Sequence, residues 1–362
     1  MGTGLALLYS VYWEASPDGV LKMKPSLVTG ALTGLLLFGG LPAAGETPPP
    51  LLRSGDRIVL VGNTLLERAR LYGHLETTLQ IAAGPTVKGI TLRNLGWSGD
   101  SVFGDARSYF GPPSEGRERL ATALGETKPN VVLLCYGTGA AMSVDQGWTR
   151  ESDHANTSAA GYEASRELFL NGYQALLERV RAASGEGLRE IVLIAPPPLE
   201  NLGKPLPDQV KNNRRLAGFR DGIRELAKKN SLRFVDLFAA LGGDDFRGEV
   251  ANPALTEDGV HHGEAGHHLI ARELAKGLGY SESVLPDRDL PAREELRAAV
   301  IEKDRLFFHR WRPANETYLF LFRKHEQGRN AKEIPQFDPL IAAQEKKIEE
   351  ARAVVFAGMP KN

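Results

Sequence analysis

Cysteine is almost absent from this chain, with one residue, Cys135, in 362. No disulfide framework can hold the fold. Cys135 closes the apolar run Val131-Val132-Leu133-Leu134-Cys135, so it reads as a buried structural thiol and is assigned no chemistry. An excess of one charge sign is also missing: 44 Lys and Arg stand against 45 Asp and Glu, a formal net charge of -1. No global field therefore draws the chain to nucleic acid or to an anionic membrane, and a small neutral partner fits better. No apolar run reaches the ~20 residues of a spanning helix. What remains, 42% hydrophobic and 25% charged residues, is the make-up of a globular protein able to bury a full core.

Three divisions are expected. Residues 1–50 hold an N-terminal extension in which Lys24, an apolar stretch over 27–41 and Pro42-Ala43-Ala44-Gly45-Glu46 match the basic, hydrophobic and small-residue parts of a secretory signal, about 23–45. The mature protein is then secreted or periplasmic, with no stable membrane span after cleavage; a permanent anchor is the alternative reading. Residues 1–22 do not fit a signal, and Met23 reads as the real start. Thr47-Pro48-Pro49-Pro50 is a stiff linker. Residues 51–284 form an α/β domain. Residues 285–362, rich in Arg, Glu, Lys, Ala and Leu after Pro286 and Pro291, form a helical extension.

Within 51–284, a continuous apolar run predicts a strand at 57–61, and further buried-type strands are expected at 90–94, 131–136, 191–195 and 234–237. Helical spacing predicts a helix over 65–81, carrying Leu65, Leu66, Ala69, Tyr72, Leu75 and Leu79, and others near 116–126, 158–186 and 207–230. Strands alternating with helices imply a parallel sheet covered on both faces, a three-layer α/β/α sandwich. Ligands in such sheets bind at the carboxyl ends of the strands.

Chemistry-bearing residues follow those strands. Thr64 comes two residues after Gly62, where a strand-to-helix turn presents a hydroxyl at a helix N-terminus. The plainer reading is that Asn63 or Thr64 only caps the helix. Asn94-Leu95-Gly96-Trp97-Ser98-Gly99-Asp100-Ser101 can aim backbone N–H groups at an oxyanion, and Tyr136-Gly137-Thr138-Gly139-Ala140 places a second glycine pair at a strand end. After the last strand comes Asp258-Gly259-Val260-His261. A hydroxyl at the first strand and Asp-x-x-His after the last is the order that hydroxyl–imidazole–carboxylate acyl transfer needs. Ser101 is a rival nucleophile, though it follows a long loop and not a tight elbow.

The crowded His261-His262-Gly263-Glu264-Ala265-Gly266-His267-His268 raises a metal-dependent hydrolase as an alternative. The i, i+4 histidine spacing of helical zinc sites is absent, so no metal and no cofactor are assigned. A helix starting at Glu264 and running through Ala275 would turn His267 inward and leave His262 and His268 solvated.

These strings resemble the SGNH, or GDSL-type, hydrolase superfamily. Gly62-Asn63-Thr64-Leu65 lies where that family has Gly-Asp-Ser-Leu, Ser98-Gly99-Asp100-Ser101 looks like its second block, Tyr136-Gly137-Thr138-Gly139-Ala140 falls where Gly-x-Asn-Asp is found, and Asp258-Gly259-Val260-His261 matches the block that completes the triad. The Asn-Thr pairing of the first block also resembles a group of secreted GDSL-like proteins from planctomycete-type bacteria. The resemblance implies a flavodoxin-like sandwich and hydrolysis of acyl esters, often acetyl groups on carbohydrates. It implies Thr64, His261 and Asp258 as triad and the Thr64, Gly99 and Gly139 positions as oxyanion hole. Two departures are plain: threonine replaces serine, and Gly139 stands where the family has a side-chain donor, a lack that a backbone N–H or Asn201 would make good. A carbohydrate-binding or scaffold protein that keeps the fold without catalysis is the competing class.

In the extension, amphipathic helices are expected over 290–310 and 340–356. Arg310, Trp311 and Arg312, together with Asn63 and Asn201, are candidate substrate contacts, by stacking and bidentate hydrogen bonds; packing against the α/β domain is the plainer reading for the extension.

Overall fold

A computed structural model of the chain describes residues 9–15, 21–27, 48–143, 161–285 and 291–359. Strand β1 (Tyr9–Ala15) pairs antiparallel with β2 (Leu21–Leu27), Trp13 opposite Met23, and this hairpin is a unit of its own. The apolar stretch and small-residue site expected of a signal fall almost wholly on residues 28–47, outside the described residues. Among the described residues no helix is long and apolar enough to cross a membrane.

From Pro48 on, a five-stranded sheet is built from β3 (Arg57–Gly62), β4 (Thr91–Asn94), β5 (Val131–Cys135), β6 (Glu190–Ala195) and β7 (Arg233–Asp236). The order is β4-β3-β5-β6-β7, and every pairing is parallel. Successive residues of a strand point to opposite faces, so strands covered on both sides must be apolar throughout. Val59, Val61, Val132, Leu134 and Leu193 pack toward α3 (Pro113–Thr127), α5 (Tyr162–Ser184) and α6 (Val210–Lys229). Ile58, Leu60, Leu133, Cys135 and Ile194 pack toward α1 (Thr64–Tyr72), α2 (His74–Ala82) and α8 (Glu264–Gly277). The short helices α4 (Thr138–Met142) and α7 (Leu237–Ala240) follow β5 and β7 directly. The fold is thus the expected α/β/α sandwich, and its strand order turns back between β3 and β5, where such sheets open a ligand crevice.

One expected helix is two. The apolar spacing over 65–81 is continuous, but Gly73 takes a left-handed φ of 67° and its N–H bonds to Ala69 O, ending α1 and redirecting α2.

The last third of the chain is α9 (Pro291–Trp311), α10 (Glu316–Leu319), α11 (Lys324–Gln327) and α12 (Phe337–Gly358). Leu296 and Val300 of α9, Ile348 and Val355 of α12 and Ile81 of α2 share one apolar cluster. Fully buried Lys303 fixes α9 to the sheet edge, its Nζ reaching Glu76 Oε2 at 2.5 Å, Asp304 Oδ1 at 2.6 Å and Leu92 O at 2.9 Å. The region expected at 285–362 therefore packs into the same compact unit as the sheet.

At the strand ends the backbone is drawn very close. A Cβ on Gly62 would lie 2.5 Å from Cys135 O, and one on Gly96 would lie 2.4 Å from Glu67 N. Both sites exclude a side chain. Arg107, wholly buried, gives Nε to Asp100 Oδ2 at 2.6 Å and Nη2 to Leu95 O at 2.8 Å, and Tyr136 OH donates to the same Asp100 oxygen at 2.7 Å. Removing one partner of a buried pair strands the other charge. Arg107→Met is expected to lower the unfolding free energy by about 3–5 kcal/mol in urea titrations. Arg305→Ala, which breaks the exposed Arg305–Glu302 pair, is expected to change it by less than about 0.5 kcal/mol.

Candidate active site

Thr64 at the start of α1, Gly139 in α4, and Gly99 and His261 from two loops line one cavity of about 310 Å³ at the carboxyl ends of β3 and β5. Asn63 is the N-cap of α1, its Oδ1 accepting the Leu65 N–H at 3.4 Å. The capping duty falls to Asn63, and Thr64 is left as the first helical residue with its hydroxyl toward the loop across the crevice. There Gly99 N–H donates to Thr64 Oγ1 at 3.4 Å. A nucleophile-type hydroxyl and a backbone donor thus sit side by side, with Gly99 in the left-handed region at φ 78°.

His261 enters from the loop before α8. Asp258 Oδ2 lies 2.7 Å from its Nδ1, while Asp258 Oδ1 accepts the N–H groups of Val260 at 3.0 Å and His261 at 2.8 Å. Burial by itself would raise the Asp258 carboxyl, but the hydrogen bonds from the His261 ring and from these two amides hold it at about 2. An ionised Asp258 therefore accepts the hydrogen bond of Nδ1–H, which leaves Nε2 as the basic nitrogen. Asp258 itself stands behind His261 and not on the cavity wall.

The loop carrying His261 is fastened by a residue that the sequence does not flag. Glu200, after β6, accepts the N–H groups of Ala251 at 3.1 Å, Leu255 at 3.0 Å and Thr256 at 2.7 Å, and the Thr256 hydroxyl at 2.6 Å. Burial opposes its charge, yet these bonds hold its carboxyl below the usual range. Its only sequence signal is its place just beyond a strand end.

His262, expected in solvent, is buried instead. The Thr256–His262 bridge turns it inward, and Gly266 lets α8 approach so closely that a Cβ there would lie 2.9 Å from the His262 ring. His267 is buried as expected, stacked on Tyr72 with centroids 4.7 Å apart, and His268 meets the His74 ring edge-on at 5.1 Å. Both His262 and His267 reach the cavity wall. Among the described residues no group of three or more His, Cys, Asp or Glu is arranged to hold a metal ion.

The remaining candidates are engaged by other groups. Ser101 borders the cavity, but its Oγ is engaged by the Asp105 carboxylate and by Phe103 N–H. Asn201 is spent on Arg247 O and Gln209 N, so it is not the substitute donor expected of it. Arg310 pairs with Asp338, Trp311 packs edge-on against Trp97 at 5.5 Å, and Arg312 pairs with Glu67. Asn201, Arg310, Trp311 and Arg312 do not line the cavity.

Residues 61–269 match the model of the GDSL-like lipase/acylhydrolase family. Among solved structures, a catalytic mutant of Axe2, an acetylxylan esterase from Geobacillus stearothermophilus, is similar at 18% identity and a TM-score of 0.46, over 66% of this chain and 99% of that one. A gut microbial diltiazem-metabolizing enzyme is similar at 18% identity and a TM-score of 0.47, over 65% of this chain and 49% of that one. LAE5, an α/β hydrolase from the metagenome of Lake Arreo, Spain, is similar at 17% identity and a TM-score of 0.44, over 64% and 99%. No curated protein matches the chain.

Burial sets a pH dependence at the cavity wall. It pushes His262 from 6.5 down to about 4 and His267 down to about 3, so both rings are neutral at pH 7. Below about 6.5 the unfolded chain binds protons that the folded one refuses, so stability falls as pH drops from 6.5 toward 4 and 3. The thermal midpoint is expected to fall over that window. His267→Gln is expected to flatten the fall, as read by calorimetry at half-unit pH steps.

Proposed function

The chain belongs to the GDSL-like lipase/acylhydrolase family, and we propose that it hydrolyses acyl esters through Thr64, His261 and Asp258. One observation carries this reading: the Thr64 hydroxyl, the Gly99 N–H 3.4 Å from it and the Asp258-held His261 all belong to the wall or support of one cavity.

In the proposed reaction His261 Nε2 takes the proton from Thr64 as Oγ1 attacks the ester carbonyl. The N–H groups of Gly99 and Thr64 hold the resulting oxyanion. Collapse expels the alcohol, which receives the proton from His261, and water then attacks the acyl-threonine by the same route in reverse. Asp258, ionised down to about pH 2, stabilises the imidazolium throughout. The proposed substrates are short acyl esters, acetyl esters of carbohydrates above all, in keeping with a cavity of about 310 Å³. The proposed location is secreted or periplasmic, on the strength of the signal-like residues 23–45.

A second reading is favoured by Gly139. A glycine offers no side-chain donor where the superfamily's Gly-x-Asn-Asp would supply one, and the methyl of Thr64 crowds attack and stiffens χ1. A non-catalytic, carbohydrate-binding protein on the same fold is consistent with both.

The two readings separate on p-nitrophenyl acetate and acetylated sugars. Hydrolysis is expected from the parent and to vanish in Thr64→Ala and His261→Ala while persisting in Ser101→Ala. Thr64→Ser is expected to raise kcat. An added Cβ at Gly139 meets nothing within 4 Å, so Gly139→Asn is expected to fit and to raise kcat, at most by the ~10²–10³-fold that one oxyanion donor is worth. A parent no faster than Thr64→Ala, with Gly139→Asn equally inert, would select the binding reading.

A further inference from the structure

We propose that Arg312, beyond the end of α9 and outside the family-matched stretch, is a positioning residue of the active site that acts through Glu67 on the loop carrying the Gly99 N–H. This rests on the hydrolase reading above.

Glu67 stands three residues after Thr64 in the first turn of α1. Its Oε2 accepts the Ser98 N–H at 2.6 Å and Arg312 Nη1 at 2.7 Å. Ser98 directly precedes Gly99, whose N–H is the donor facing Thr64 Oγ1. One carboxylate thus links the helix of the nucleophile, the loop of the oxyanion donor and the C-terminal extension. The guanidinium also lies over the Trp97 ring, 3.8 Å from its centroid, and Trp311 closes on the same ring. A planar, permanently charged fork that both pairs and stacks is what arginine supplies and lysine does not. Nearby, Arg70 of α1 sits 3.8 Å over Phe308 of α9, so the end of α9 docks on the helix that carries both Thr64 and Glu67.

Residues 97–100 are consequently held from two sides. Inside, Asp100 is fixed by Arg107 and Tyr136. Outside, Ser98 hangs on a partly buried carboxylate whose orientation depends on a cation, the Glu67 and Arg312 side chains being 16% and 24% exposed. Without Arg312 that carboxylate turns to water and the Ser98–Gly99 peptide loses its outer fastening. Displacing an oxyanion donor by a fraction of an ångström weakens transition-state stabilisation while leaving ground-state binding in place. The extension is therefore part of the catalytic assembly and not a passive cover.

The test measures kcat and KM on p-nitrophenyl acetate for the parent, Arg312→Ala, Glu67→Ala, the double variant and Arg312→Lys, together with amide exchange at Ser98 and Gly99. Each alanine variant is expected to lose about 10–100-fold in kcat with KM within about threefold. The double variant is expected to lose no more than the worse single one, because both break the same clamp. Arg312→Lys is expected to recover only part of the loss. Exchange at Ser98 is expected to quicken in every alanine variant. Parental kcat in Arg312→Ala, fully multiplying losses in the double variant, or unchanged exchange at Ser98 would each overturn the proposal while leaving the hydrolase reading intact. If the parent shows no turnover above Thr64→Ala, the hydrolase reading fails on its own, and exchange at Ser98 in Arg312→Ala still decides whether the clamp exists.

Discussion

A buried ion pair, Asp100 with Arg107, is the constraint on which the geometry of the site depends. Both side chains are wholly inaccessible, and they join the ends of three strands: Arg107 reaches Leu95 O after β4 and, at 3.5 Å, Gly62 O at the end of β3, while Asp100 takes the hydroxyl of Tyr136 after β5. Burial and the neighbouring carboxylate push Tyr136 far above its ordinary value, so it serves as a neutral donor. Such a pair adds little net stability, since desolvation offsets most of the attraction. Its role here is geometric. Thr64 lies two residues beyond Gly62, Gly99 one before Asp100 and Gly139 three beyond Tyr136, so one pair sets the separation of every loop on that side of the cavity.

His261 comes from the opposite side and is set by a different carboxylate. Glu200 gathers the amides of 251, 255 and 256 into a rigid turn, and Asp258 then orients the ring from within that turn. Because Asp258 stays ionised to about pH 2, it holds the His261 ring at Nδ1 throughout the neutral range. The neighbouring His262 and His267 are forced neutral by burial at pH 7, so they add no positive charge beside the His261 ring.

Much of this was legible in the sequence. The three central strands announced themselves because a sheet covered on both faces demands apolar residues at nearly every position, and Thr64, Gly99 and His261 could be placed beyond strands because the turns beside them carry glycine or an Asp-x-x-His pair. The break at Gly73 was hidden because apolar periodicity records which residues face the core and is blind to one left-handed residue. His262 was misjudged because its burial depends on a bridge to Thr256 and on the missing side chain of Gly266. Arg312 looked like a substrate contact, yet its partner Glu67 is 245 residues away in sequence, and pairings at that distance leave no local pattern.

Whether Thr64 acts as the proposed nucleophile is decided by covalent capture. The parent protein and His261→Ala would be treated with a fluorophosphonate ester and analysed by intact mass and peptide mapping. A single phosphonyl adduct on Thr64 is expected in the parent and none in His261→Ala. An adduct on Ser101, or a parent left unmodified under conditions that label a serine esterase, would contradict that role.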